Sequence, residues 1–132
     1  MKPFIFAGLF SIICSTAYCQ TGSVRGQQFN LTGKIIEEVQ LTPGCGYFAW
    51  ATVVAFEVLD LTGIDYPSSS IGVIITCPGF YEKNFLEKGK TYQLVCSNEN
   101  QADFDWVIVN KGLLKKNSFS LEPYAITVKK VP

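Results

Sequence analysis

The sequence predicts an all-β domain closed into a small barrel, and three observations predict it. From residue 31 onward, short apolar runs alternate with Gly, Pro, Asn and Asp punctuation. β-branched and aromatic residues dominate those runs, as expected of side chains that fit a pleated surface. Residues 47–61, YFAWATVVAFEVLDL, read as one strand of fifteen residues. Such a strand spans roughly 50 Å, against about 17–20 Å for an ordinary one. A small domain cannot hold it straight, and long coiled strands suit small closed barrels.

The chain opens on a predicted signal peptide, residues 1–19. MKPF carries one positive charge, and FIFAGLFSII has the length of a signal-peptide core but is too short to span a bilayer. Ala17-Tyr18-Cys19 offers small residues to a signal peptidase, so cleavage is expected after Cys19, with Gln20 leading the mature chain. Retention and lipidation of Cys19 is the lesser alternative, because Tyr18 is bulky where a lipidation signal wants a small residue. No later stretch has the roughly 18 unbroken apolar residues of a membrane-spanning helix. Residues 20–30 are expected to be a flexible lead-in, and residues 31–132 the domain.

Within the domain, residues 31–41 form a first predicted strand with Gly33 near its start, and TPGCG (42–46) is a turn cluster. The second strand, 47–61, could be taken for a helix because of its alanines. Thr52, Val53, Val54 and three aromatics argue against that, since they lose rotamer freedom in a helix. Its alternation separates a large face (Phe48, Trp50, Thr52, Val54, Phe56, Val58) from a small one (Tyr47, Ala49, Ala51, Val53, Ala55, Glu57). The small face is expected to permit tight curvature. Residues 62–70 form a loop, and 71–77 a central third strand that is apolar on both faces. In the connector 78–89, Phe80, Phe85 and Leu86 are expected to line one or two helical turns that plug a barrel end. KTYQLVCS is the fourth strand, 104–110 the fifth and 124–131 the sixth. Strand, strand, strand, short helix, strand, strand is the OB order. The expected fold is therefore a five- to six-stranded OB-like Greek-key barrel with a short helical connector between strands three and four.

GKIIEEVQ, a cysteine-bearing turn, a long strand and then VIITCPGFYEKNFLEKGKTYQLV resemble the netrin-type OB domains, the group that includes the tissue inhibitors of metalloproteinases. The resemblance covers roughly residues 31–97. It implies a secreted OB module and, for the inhibitors, an N-terminal cysteine whose amine and carbonyl chelate the catalytic zinc of a protease. This chain departs from that pattern, because the family's Cys-x-Cys start is absent: Gln20 and Thr21 follow Cys19.

With cleavage after Cys19, three cysteines remain: Cys45, Cys77 and Cys96. A secreted chain is free to form disulfides, and three sulfurs allow one bridge. If the first three strands alternate in direction, the turn holding Cys45 and the end of the strand holding Cys77 fall at the same pole. Cys45–Cys77 is the expected pair; Cys77–Cys96 and no bridge at all stay open. Cys96 shares a strand face with Tyr92 and Leu94 and is expected to be an inert core residue.

The chemistry the composition excludes is as informative. There is no histidine, which rules out Ser/His or Cys/His nucleophile systems. No CxxC or ligand cluster suggests a metal, and no cofactor is expected. Loss of Lys2 with the leader leaves ten basic against eleven acidic groups, which argues against nucleic acid as a partner. Asp103 and Asp105, two apart at the start of the fifth strand, are a candidate carboxylate pair. With Glu99 and Asn100 they are also candidate Ca²⁺ ligands, although solvated charge is the simpler reading. Trp50 and Trp106 are candidate stacking platforms for a sugar or peptide. The expected function is a secreted or periplasmic, non-catalytic binding or structural module whose partner is an extracytoplasmic protein or glycan. The alternatives are a netrin-like protease inhibitor and a small carboxylate-dependent hydrolase.

Overall fold

A computed structural model describes residues 24–116 and 121–132. The expected leader and its cleavage site lie outside the described residues. Six strands, β1 (Gln28–Ile35), β2 (Trp50–Thr62), β3 (Ser70–Thr76), β4 (Thr91–Ser97), β5 (Val107–Val109) and β6 (Tyr124–Lys130), are joined by a 3-10 turn at Pro78–Phe80 and a short helix α1 (Gly112–Lys116). The sheet runs β1-β4-β6-β3-β2-β5, and an additional β1–β2 pairing closes it. All ladders of the closed ring are antiparallel except β3–β6, which is parallel. With β5 set aside, this is the predicted OB-like Greek-key barrel; β5 is an extra strand laid parallel on the first residues of β2. No helix among the described residues is long and apolar enough to cross a membrane.

β1 begins at Gln28, inside the stretch expected to be a flexible lead-in, and stops at Ile35 rather than at residue 41. Burial explains both limits. Phe29, Leu31 and Ile35 point inward and are fully buried, so the pleat already runs three residues before the expected start. Beyond Ile36, whose N–H still donates to Ala55 O at 3.0 Å, the backbone leaves the sheet. Thr52 Oγ1 donates to Gln40 O at 2.9 Å and holds the departing segment across the barrel end.

β2 is one long strand, as predicted, but its two faces have a different meaning from the one expected. Val54 and Phe56 enter the barrel interior with Leu31, Ile71, Ile75 and Tyr92. Ala51, Val53 and Ala55 are buried as well, in a second core with Ile74, Leu113 and Leu114. The small face makes room for α1. The bend comes instead from a bulge: Thr32 faces Asp60 while Gly33 faces Val58, which leaves Leu59 unpaired. Gly33 is required there, since a Cβ would lie 2.9 Å from Phe56 Cβ. A similar shift between β4 and β6 skips Ile126.

The connector after β3 keeps its role as a plug but has little helix, only the 3-10 turn. Tyr92 organises it. Its hydroxyl donates to Phe85 O at 2.6 Å and accepts from Glu87 N–H at 2.8 Å. Its ring meets Phe56 and Phe85 edge-on, with centroids 6.2 and 5.8 Å apart, and Tyr81 stacks on Phe85 at 4.9 Å. Phe85 and Leu86 pack against the core. Phe80, expected beside them, is 75% exposed, because the 3-10 turn that Pro78 starts turns it outward.

Cys96 is a free, fully buried thiol in the barrel interior. Burial pushes its pKa from 9.0 to about 12. A thiol that ionises later in the folded than in the unfolded chain stabilises the fold below pH 9, and that contribution is lost as pH rises towards 12. Wild type is expected to lose stability over this window relative to Cys96→Val, by on the order of 2–4 kcal/mol at the upper end. Urea unfolding of both proteins at stepped pH reads the difference; parallel profiles would contradict it.

Candidate binding surface at the stapled end

Cys45 and Cys77 lie at disulfide distance, with Cα atoms 5.6 Å apart. The bridge fastens the 36–49 loop to the start of the connector. Around it the backbones press together: a Cβ on Gly79 would sit 3.3 Å from Gly44 Cα. Trp50 O accepts from Cys77 N–H at 2.8 Å, and Cys45 Sγ lies 3.5 Å from the same oxygen. Cys77 takes a left-handed conformation, φ +44°, at the end of β3, and this swings the chain from strand into plug.

The stapled loops present apolar side chains to solvent. Tyr47 is fully exposed, Leu41 is 77% exposed, and Phe48 60%. Phe48 stands edge-on to the half-buried Trp50, with centroids 5.9 Å apart, and Phe80 projects from the other side of the bridge. Next to them an open groove of about 700 Å³ runs between the 38–42 segment and the connector. Val39, Leu41, Pro78, Tyr81, Phe85 and Leu86 supply its apolar lining; Glu38, Glu82, Lys83 and Lys88 give it charges of both signs. An apolar groove rimmed by mixed charge suits a protein surface or an extended peptide better than a polyanion.

Of the other residues singled out from the sequence, Trp50 belongs to this surface. Trp106 does not. Its Nε1 donates to Asn100 Oδ1 at 2.9 Å, and its ring packs on the second core, leaving Phe104 as the exposed ring of that loop. Asp103 and Asp105 precede β5 instead of opening it, because the strand is only three residues long. The Arg25 guanidinium pairs with Asp103 and donates to Ala102 O at 3.0 Å. Both carboxylates lie on a shallow, open surface with Arg25 and Phe104, not in a deep cleft. Asn100 Oδ1 already accepts from Ala102 N–H and Trp106 Nε1, so it faces its own loop and not a cation. Among the described residues no group of three or more Cys, Asp and Glu could hold a metal ion.

Leu41, Tyr47, Phe48 and Phe80 were not singled out as site residues from the sequence. The available signal was local: in PGCGYF and CPGF an aromatic directly follows a glycine turn beside a cysteine. Side chains so placed, Tyr47, Phe48 and Phe80, stand in solvent and not in the core.

Comparison of the chain with family models, curated proteins and solved structures gives no match.

Proposed function

We propose that this chain is a secreted, non-catalytic module that binds an extracytoplasmic protein through its stapled end. The observation that carries this reading is the gathering of Leu41, Tyr47, Phe48 and Phe80, all exposed, around one disulfide and beside one groove. Large apolar side chains held in solvent by a covalent cross-link favour binding over solubility. A disulfide pair accords with an oxidising compartment, and the absence of histidine removes the commonest general base.

The test is capture from the extracytoplasmic fraction of the source, wild type against a Tyr47→Ser/Phe48→Ser/Phe80→Ser variant. Wild type is expected to retain a defined protein, and the variant to lose it by about tenfold or more with an unchanged circular dichroism spectrum. Equal capture by both proteins would move binding off this surface, and a signal that survives protease treatment of the fraction would make the ligand a glycan. The inhibitor role suggested by the netrin-type resemblance needs Cys19 as the first residue of the mature chain. An intact mass starting at Gln20 would support the expected cleavage and remove that role.

A further inference from the structure

We propose that two copies of this chain associate edge to edge through β5, antiparallel, about a two-fold axis at Ile108. The inference stands apart from the stapled end and rests on a different strand. Among the described residues β5 is the end of the sheet and pairs with β2 alone, in the parallel register Trp50↔Val107, Ala51↔Ile108, Thr52↔Val109. Val107 N–H donates to Ala49 O at 2.8 Å. By the alternation of the pleat, Val107 and Val109 turn their backbone polar groups to β2, and Ile108 turns its N–H and C=O outward.

Exposed strand edges are normally blunted by a charge, a proline or a cover. Val107-Ile108-Val109 carries no charge and no proline. Charges flank it instead, and they are arranged symmetrically. Asp105 lies three residues before Ile108 and Lys111 three after; both are exposed, and neither makes an ion pair among the described residues. When Ile108 faces Ile108 of a second copy in antiparallel register, Asp105 of each copy meets Lys111 of the other. A parallel self-pairing would set like charges together, which is unfavourable. Asn110, at φ +62°, ends the strand, so the charged pair lies just outside the ladder. Phe104 and Val107, 52% and 41% exposed, supply apolar surface for the contact to cover. A self-complementary edge of this kind gives the commonest oligomer symmetry. Its small area implies weak, reversible association, with Kd on the order of 100 μM.

Sedimentation velocity of the intact mature protein over a roughly hundredfold concentration range around that Kd tests the proposal. A reversible monomer–dimer equilibrium is expected. Asp105→Lys and Lys111→Asp are each expected to weaken it about tenfold or more at low salt, and the double variant to return to within about threefold of wild type. Neither side chain is buried, so circular dichroism should show the same fold in all four proteins. Slower amide exchange at Ile108 with rising concentration would support the same edge. A protein that stays monomeric throughout, a dimer indifferent to both reversals, or a double variant no better than the singles would each overturn the proposal.

Discussion

Tyr92→Ala is expected to be the most damaging single substitution in the barrel. Tyr92 is fully buried and is among the largest side chains in the core. Truncating a buried aromatic costs about 3–5 kcal/mol from lost transfer energy and the cavity left behind. Here the change also strips Phe85 O and Glu87 N–H of their partner, adding the cost of polar groups left unpaired. For a domain of this size the melting temperature should fall by about 15 °C or more. Tyr92→Phe separates the two contributions. It keeps the edge-on ring contacts and loses the hydroxyl, so it should cost about 1–3 kcal/mol. Thermal unfolding of the three proteins measures both effects. A Tyr92→Phe variant as stable as wild type would mean that the hydroxyl does not hold the plug.

Removing the bridge is expected to be nearly as costly. Cys45 and Cys77 are 32 residues apart, and opening a loop of that length restores entropy to the unfolded chain worth about 3–4 kcal/mol. Cys45→Ser/Cys77→Ser should therefore unfold at markedly lower urea than the oxidised wild type, and reduction of the wild type should reproduce the shift. A second effect is local. Apart from the bridge, the bonds seen among the described residues tie the 36–49 loop to the barrel at its two ends, through Ile36 N–H to Ala55 O and Thr52 Oγ1 to Gln40 O near its start and Val107 N–H to Ala49 O at its close. Amides of residues 41–48 should lose protection from exchange before any barrel amide does. Unchanged exchange there would show that the loop holds its place without the cross-link.

Much of the barrel was legible in the sequence, for identifiable reasons. β3 and β4 were placed to within a residue because their apolar patterns are bounded sharply by turn residues: TGIDYPSSS before β3, PGFYEKN and EKG before β4. Strand direction favoured Cys45–Cys77 over the open alternatives, and these two lie at disulfide distance. The limits of β1 were not legible, because Gln28-Phe29-Asn30 carries one apolar residue and resembles a linker until Phe29 is seen filling the barrel. β2's small face was correctly separated from its large one. Its purpose was hidden, because α1, the element it receives, is only five residues long and has little periodicity. The candidate site was the least legible part. Pattern reasoning assigns large aromatics on strands to the core, and that holds for Phe56 and Tyr92. It fails for Phe48 and Phe80, whose backbone is steered outward by neighbouring glycine, proline and disulfide.

The strand connections also favour one order of assembly. β2 and β3 are joined by a short loop and pair from Ala51–Thr76 to Glu57–Ser70, so Cys45 and Cys77 come together at the hairpin's open end once it zips. Cys96 becomes a neighbour of this unit only when β4 docks on β1, whose partners (Gln28–Ser97 to Lys34–Thr91) lie farther apart in the chain than those of the β2–β3 hairpin, a separation that favours later formation. During oxidative refolding Cys45 and Cys77 are therefore expected to meet before Cys96 is enclosed in the barrel.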